Sequence, residues 1–217
     1  MLHIDIASDI VCPWCFIGLR RFAEAEALVR QEIPDFAVRK RWLPFFLNPD
    51  TPPAGEPYLP FLVAKFGSRE RVDALFAQIR AAGAAHGADF HFEKIQVRAS
   101  TLDAHRLIHH TQQQGIDAAP LVERLFMAQF QQGLNVGDRA VLLQVARDAG
   151  LEPPGLEAWL ASDADVDAVR ALEGEVRRIG IRSVPTYLVD QRFAVVGAEE
   201  PATLAEALGR AWRNRQG

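Results

Sequence analysis

The chain has two cysteines, Cys12 and Cys15, three positions apart in the stretch SDIVCPWCFIGLRRF (Ser8 to Phe22). Two thiols at this spacing could clip a metal, staple the chain, sit inertly in a core, or exchange electrons. A structural zinc takes about four ligands, usually as two such pairs, and the sequence has no second Cys-x-x-Cys. Two cysteines placed at random fall at this spacing in only roughly one chain in a hundred, a counting estimate for the spacing rule. The opening MLHIDIASD has neither a basic stretch nor a long apolar run. It does not read as a secretory leader, so the expected compartment is the cytoplasm. Thiols there are kept reduced, which disfavours a lasting structural disulfide.

The redox reading has a physical basis. A thiol at the first turn of a helix meets unpaired backbone N–H groups and the positive end of the dipole, which favour an anion. The thiolate is the attacking species. Cys12 would hold that position, and Cys15, one turn further, could close a disulfide or resolve a mixed one. Pro13 starts a helix without losing a hydrogen bond. Trp14 offers an apolar surface beside the sulfurs.

The elements that must position these residues are legible from periodicity. Leu2, Ile4 and Ile6 alternate with polar neighbours, which predicts a strand over Leu2–Ala7. An amphipathic helix follows, carrying Leu19, Phe22, Ala25, Leu28 and Val29 and ending near Ile33-Pro34. DFAVRKRWLPF alternates again and predicts a second strand, parallel to the first because a helix intervenes. The cysteines thus fall at the first turn of a β-α-β unit, a recognised redox context.

Asn48 to Pro60 is proline-rich and reads as an ordered loop or linker. Helical periodicity then dominates. Val72, Leu75, Phe76, Ile79 and Ala82 share one face; Leu121, Val122, Leu125 and Phe126 share another. Asp138 is expected to cap a helix over Ala140 to Ala149 that Gly150 stops. Val166, Val169, Leu172, Val176 and Ile179 line a further helix ended by Gly180. A β-hairpin follows, Thr186–Val189 and Phe193–Val196 joined at Asp190-Gln191-Arg192. A last helix has Pro201 near its start. The order β-α-β, helices, β-β-α predicts an α/β fold whose two ends pair into one four-stranded mixed sheet, with a large all-helical block inserted between them. The expected division is 1–48 with 164–217 as one domain and 49–163 as the inserted one.

Pro185 opens the strand that must lie beside the first. An X-Pro bond there can be cis; the backbone of Val184 would then be free to accept an extended substrate next to Cys12. The other reading is a trans proline beginning an edge strand.

The apolar fraction is 49%, the charged fraction 24% and the net charge −4. This is an ordinary soluble balance, with no basic surface for nucleic acid and no run near the ~20 apolar residues of a membrane span.

The chain resembles the DsbA family of thioredoxin-fold oxidoreductases, and within it the FrnE-like branch. The resemblance rests on SDIVCPWCFIGLRRF, on LDAHRLIHHTQQQG and LVERLFMAQFQQGLNVGD, and on GIRSVPTYLVDQRFAVVGAEEP. It implies a thioredoxin-like fold interrupted by a helical domain, with Cys12 as nucleophile, Cys15 as resolving thiol, and a cis Pro185. Related kappa-class glutathione transferases and chromene-carboxylate isomerases typically carry serine at the position of Cys12 and lack the second thiol, so Cys15 argues against that branch.

Supporting residues carry two readings each. Asp9 could move protons for the thiols, or hold the turn through a side-chain-to-backbone bond, and the second is favoured. Trp42 and Phe45 could line the site, though core packing fits both better. His105 and His109, with His110 adjacent, have a metal-compatible spacing without an evident further ligand. Arg20 and Arg21 could raise the potential near the thiolate or be solvated.

The function expected is a dithiol–disulfide oxidoreductase acting on a protein or small-molecule disulfide or dithiol, as monomer or homodimer. No tightly bound cofactor and no metal are expected, with glutathione as a candidate co-substrate. A glutathione-dependent isomerase or transferase is the alternative enzyme, and a non-catalytic binding module the third reading.

Overall fold

The computed structural model describes residues 1–151 and 154–216; the last position of the expected domain range, 217, lies outside them. Strand β1 (Leu2–Ser8) leads into helix α1 (Pro13–Glu32) and strand β2 (Val38–Pro44). β1 and β2 pair in parallel, Leu2 opposite Val38 through Ser8 opposite Pro44. The chain returns to this sheet through β5 (Thr186–Val189) and β6 (Phe193–Val196), in the order β2-β1-β5-β6. β5 runs antiparallel to β1, with Ala7 opposite Thr186. The β5–β6 hairpin turns through Asp190 and Gln191, both at positive φ.

The period of two along β1 decides what each face meets. Leu2, Ile4 and Ile6 join the main core, with Phe22, Ala25 and Val29 of α1 and Leu204, Leu208 and Trp212 of the last helix, α9 (Pro201–Gln216). Ala7 and Leu43 face the other way, toward a smaller core with Phe45, Val176 and Ile181. Asp5 shares that second face and is satisfied across the ladder: Arg41, its register partner, donates to both carboxylate oxygens at 2.7 and 2.6 Å.

Between β2 and β5 the described residues are mainly helical. α2 (Tyr58–Phe66), α3 (Arg69–Ala84), α4 (Leu102–Gln113), α5 (Ala119–Met127), α6 (Arg139–Asp148) and α7 (Leu156–Ala161) precede α8 (Val166–Arg178). The capping role expected of Asp138 is present: its side chain accepts from the N–H groups of Ala140 and Val141. A π-helical turn, Ala128–Gln132, extends α5 and sets Phe130 beside Phe90 and Phe126. Phe16, the residue after Cys15, stacks on Phe126 at 5.4 Å and meets Phe90 edge-on at 5.7 Å. The helical segment is thereby clamped to α1 right next to the cysteines.

Two expectations are corrected. The stretch 48–60 is not all loop: Glu56–Pro57 forms a two-residue strand, β3, antiparallel to β4 (Val97–Arg98), and Tyr58 already starts α2. Pro60 is tolerated there because N–H groups of a first turn lack intrahelical partners anyway. Ile179 does not belong to the apolar face of α8. The helix ends at Arg178 and Ile179 is 61% exposed. Gly180, at φ +95°, reverses the chain, and the Ile181 N–H donates to the Val176 carbonyl at 3.3 Å. This is a Schellman ending, and its apolar partner to Val176 is Ile181, which enters the second core in place of Ile179.

Candidate functional site

β1 ends at Ser8, and the turn Asp9–Val11 carries the chain into α1. Cys12 is the N-cap residue, extended at φ −92° and ψ 111°, with Pro13 in the first helical turn. The Cys12 N–H donates to the Asp9 carbonyl at 3.0 Å, and the Cys15 and Phe16 N–H groups donate back to the Cys12 carbonyl. Both cysteines are free thiols, 4% and 3% exposed. Pro13 and Trp14 are half-buried and form the more open rim.

The opposite wall comes from the far end of the sequence. The Val184–Pro185 peptide bond is cis. The Cys12 thiol lies 3.8 Å from the Val184 carbonyl oxygen, toward which it donates. Pro185 is buried and Val184 half-buried. Cys12, Cys15, Pro13, Trp14, Val184 and Pro185 therefore come together at one end of the β1–β5 pair.

Burial pushes the Cys15 thiol well up from its ordinary value. Cys12 adds to the rise through hydrogen bonding and charge, while the Ser8 hydroxyl and the Asp9 backbone pull it back. An inner thiol held protonated beside an outer one at a helix N-cap has the polarity of a two-step exchange centre.

Asp9 is 1% exposed, and its carboxylate accepts from the Leu47 N–H at 2.8 Å. Its other oxygen lies 3.4 Å from His105 Nε2. The side-chain-to-backbone bond of Asp9 thus reaches the segment after β2 rather than the turn itself, and His105 is the residue behind it. His109 faces Gln113 at 2.7 Å, and His110 stacks on Trp159 at 4.2 Å. Among the described residues no group of three or more histidines, cysteines or acids is placed to hold a metal.

Both arginines after the motif are held in ion pairs. Arg20 pairs with Glu123 of α5 at 2.6 Å. Arg21 donates to the Ala198 carbonyl and pairs with Glu200 ahead of α9, both at 2.7 Å. Trp42 lines a cavity behind Cys15, whereas Phe45 sits in the second core beneath the Arg177 guanidinium.

Three neighbours of the thiols are not singled out by sequence reasoning. Gly18 faces Pro185 and Tyr187 so closely that a Cβ there would overlap the tyrosine hydroxyl and the proline ring. A glycine inside an amphipathic helix is the available signal, since helices disfavour it without a packing reason. Tyr187 stacks on Phe22, and burial and then the nearby cysteines raise its phenol, against a smaller pull from Arg21. Ser8 shares its cavity with Cys15. Nothing in local periodicity marks either residue.

A protein described as a probable DsbA oxidoreductase from Streptomyces coelicolor is similar to this chain at 31% identity and TM-score 0.87, over 98% of this chain and 91% of that one. The cytosolic disulfide reductase DsbM from Pseudomonas aeruginosa shares the fold at 17% identity and TM-score 0.63, over 99% and 98% of the two chains. A 2-hydroxychromene-2-carboxylate isomerase shares it at 16% identity and TM-score 0.66, over 99% and 98%. The DSBA-like thioredoxin domain model matches residues 3–209, a span that includes both cysteines and Pro185, and the chain belongs to that family of thioredoxin-fold oxidoreductases.

Proposed function

We propose that the protein is a dithiol–disulfide oxidoreductase of the FrnE-like branch, with Cys12 as attacking nucleophile and Cys15 as resolving thiol. The observation that carries this reading is the pairing of Cys12, at the N-cap of α1, with the Val184 carbonyl 3.8 Å away. Thiolate Cys12 attacks a substrate disulfide, one sulfur leaves as a thiol, and a mixed disulfide remains. Cys15 then displaces the second sulfur, and the Cys12–Cys15 disulfide forms. The reverse path oxidises a dithiol, and the redox poise of the compartment selects the direction. We place that compartment in the cytoplasm; among the described residues no helix is long and apolar enough to cross a membrane.

Trp14, Pro13, Val184 and cis Pro185 form the proposed substrate wall. The helices within 49–163, proposed as an inserted domain, shape the approach to it. Glutathione is the proposed co-substrate, in keeping with a DsbM structure that contains it. The cavity of about 110 Å³ lies behind Cys15 and is not lined by Cys12, so it supplies no pocket of the ~300 Å³ a small molecule takes beside the attacking thiol. That favours disulfide exchange over an isomerase acting on an aromatic substrate.

The test is insulin reduction and refolding of scrambled ribonuclease by wild type and Cys12→Ser. Activity falling to background in the variant is expected; unchanged activity overturns the assignment.

A further inference from the structure

The second face of the sheet is only partly covered. Thr186 and Leu188 of β5 and their register partners Val196 and Ala194 of β6 share that face with Asp5 and Ala7. α8 and the turn after it pack over the β1–β2 half, where Ala7, Leu43, Val176 and Ile181 meet in the second core. Over the β5–β6 half lies a cavity of about 660 Å³. Leu188, Ala194 and Val196 line one side of it, and Leu172, Ile179 and Ile181 the other. Phe193 and Val195, the alternate residues of β6, pack against the main core instead.

Two of these side chains are open to solvent against their type. Ile179 is 61% exposed and Val196 53%, with Ala194 exposed beside them. Single apolar residues on a surface need no explanation, but a contiguous patch does. Here two large ones share one hollow with Leu188 and Ile181. The turn at Gly180 that takes Ile179 out of the second core is what sets it on this wall. The volume falls within the ~300–1,000 Å³ of small-molecule sites, which have apolar walls and a few placed polar groups.

The charged groups at the rim select the ligand. Asp5 and Arg41 are already joined by two hydrogen bonds, at 2.7 and 2.6 Å, and the charge of Glu175 also favours the Arg41 cation. Both acids of the cavity thus serve Arg41. Arg182 is the cation left over. Its Nη1 donates to the carbonyls of Arg177 and Ile181, while among the described residues no carboxylate pairs with it and its Nε and Nη2 have no acceptor. A guanidinium with donors to spare matches the geometry of a carboxylate.

We propose that this hollow is a binding site for an amphipathic carboxylate, its apolar body laid across Ile179, Leu188, Ala194 and Val196 and its carboxylate on Arg182. The site is distinct from the thiols, because α1 packs on the other face of the sheet. Ile181, Arg182 and Ser183 line the hollow and lead directly into Val184 and Pro185. The ligand therefore lies behind the wall that faces Cys12. Binding involves no covalent step and does not depend on the roles proposed for the cysteines.

The test titrates the full chain with sub-micellar decanoate and with decanol, an uncharged probe of the same chain length, by calorimetry and by NMR of the backbone amides. Decanoate is expected to bind at least about tenfold more tightly than decanol, as a charge-assisted pair would. The amide shifts should centre on Ser183, Leu188, Ala194 and Val196 and spare Trp14. Arg182→Gln keeps a donor for the carbonyls at the end of α8 and should bring decanoate down to the affinity of decanol. Ile179→Ser should weaken both probes by about fivefold, through lost apolar contact. Both positions are exposed, so the variants stay folded. Equal affinities for the two probes in wild type, or unchanged decanoate binding in Arg182→Gln, overturn the carboxylate assignment. Shifts centred on Trp14, or unchanged binding in Ile179→Ser, overturn the site, and a wild type that binds neither probe overturns the proposal whole.

Discussion

The thiol of Cys12 faces the carbonyl oxygen of Val184 at 3.8 Å, across 172 positions of sequence. The contact exists because β1 and β5 pair antiparallel, with Ala7 opposite Thr186. That register brings the end of β1, which leads to Cys12, beside the start of β5, which follows Pro185. The carbonyl of Val184 is already oriented toward the sulfur where a substrate chain would lie.

The order of the two thiols predicts a trap. On the proposed roles, Cys15→Ser leaves the Cys12 thiol able to attack and removes the group that would release the product. A mixed disulfide through Cys12 should accumulate with glutathione disulfide or a disulfide-bonded peptide, seen by mass spectrometry of the intact protein. Accumulation of the adduct in Cys12→Ser instead, through Cys15, would reverse the assignment.

Gly18 predicts a packing defect rather than a gain in helix stability. Alanine is better than glycine in a helix by about 1 kcal/mol, but here the added Cβ would overlap the Tyr187 hydroxyl and the Pro185 ring. Overpacking of this kind costs about 1–3 kcal/mol. Gly18→Ala should therefore unfold at lower urea and react more slowly with glutathione disulfide, because Pro185 must shift. A more stable variant with unchanged kinetics would remove Gly18 from the site.

Asp9 separates a structural carboxylate from a proton-handling one. Asp9→Ala removes the buried acceptor of the Leu47 N–H, a loss of about 1 kcal/mol for a part-buried hydrogen bond. Asp9→Asn keeps an acceptor oxygen and should recover most of the stability. It should also keep a near-normal pH profile for attack by Cys12. A profile displaced in Asp9→Asn, at normal stability, would assign Asp9 to proton transfer.

Cys15 predicts how the reduced protein responds to alkali. Its thiol is raised above the ordinary 9.0 in the folded state, so the unfolded chain loses that proton first. The folded state then holds more protons than the unfolded one, and stability falls as pH rises. The contribution is fully present below about pH 9 and declines above it by up to about 1.4 kcal/mol per pH unit. Tyr187 acts in the same direction from its ordinary 10.0. Urea midpoints of reduced wild type and Cys15→Ser between neutral pH and pH ~10 should diverge, the variant showing the shallower decline.

The local parts of this molecule are legible in its residues. Alternation places β1 and β2, the bounds of β5 and β6 match those the residues predict, and the cap at Asp138 follows from residue type. The spacing of Cys12 and Cys15, just after a strand and at the start of a helix, points to redox chemistry. These are properties of neighbouring residues, because periodicity of two or 3.6 reports which face of one element is buried.

Apart from Val184 and Pro185, expected beside Cys12 from the strand order, what depends on distant partners is not legible. Arg20 and Arg21 read equally as a potential near the thiolate or as solvated cations, yet one binds Glu123 on α5 and the other Ala198 and Glu200. Ile179 fits the helical period but yields its place to Ile181, because the chain reverses at Gly180. Asp9 binds Leu47, and Gly18 is pressed against Pro185 and Tyr187. By itself the sequence determined where two thiols begin a helix. The tertiary structure decided what faces them, since a polar or small residue acquires its partner only when separate elements pack.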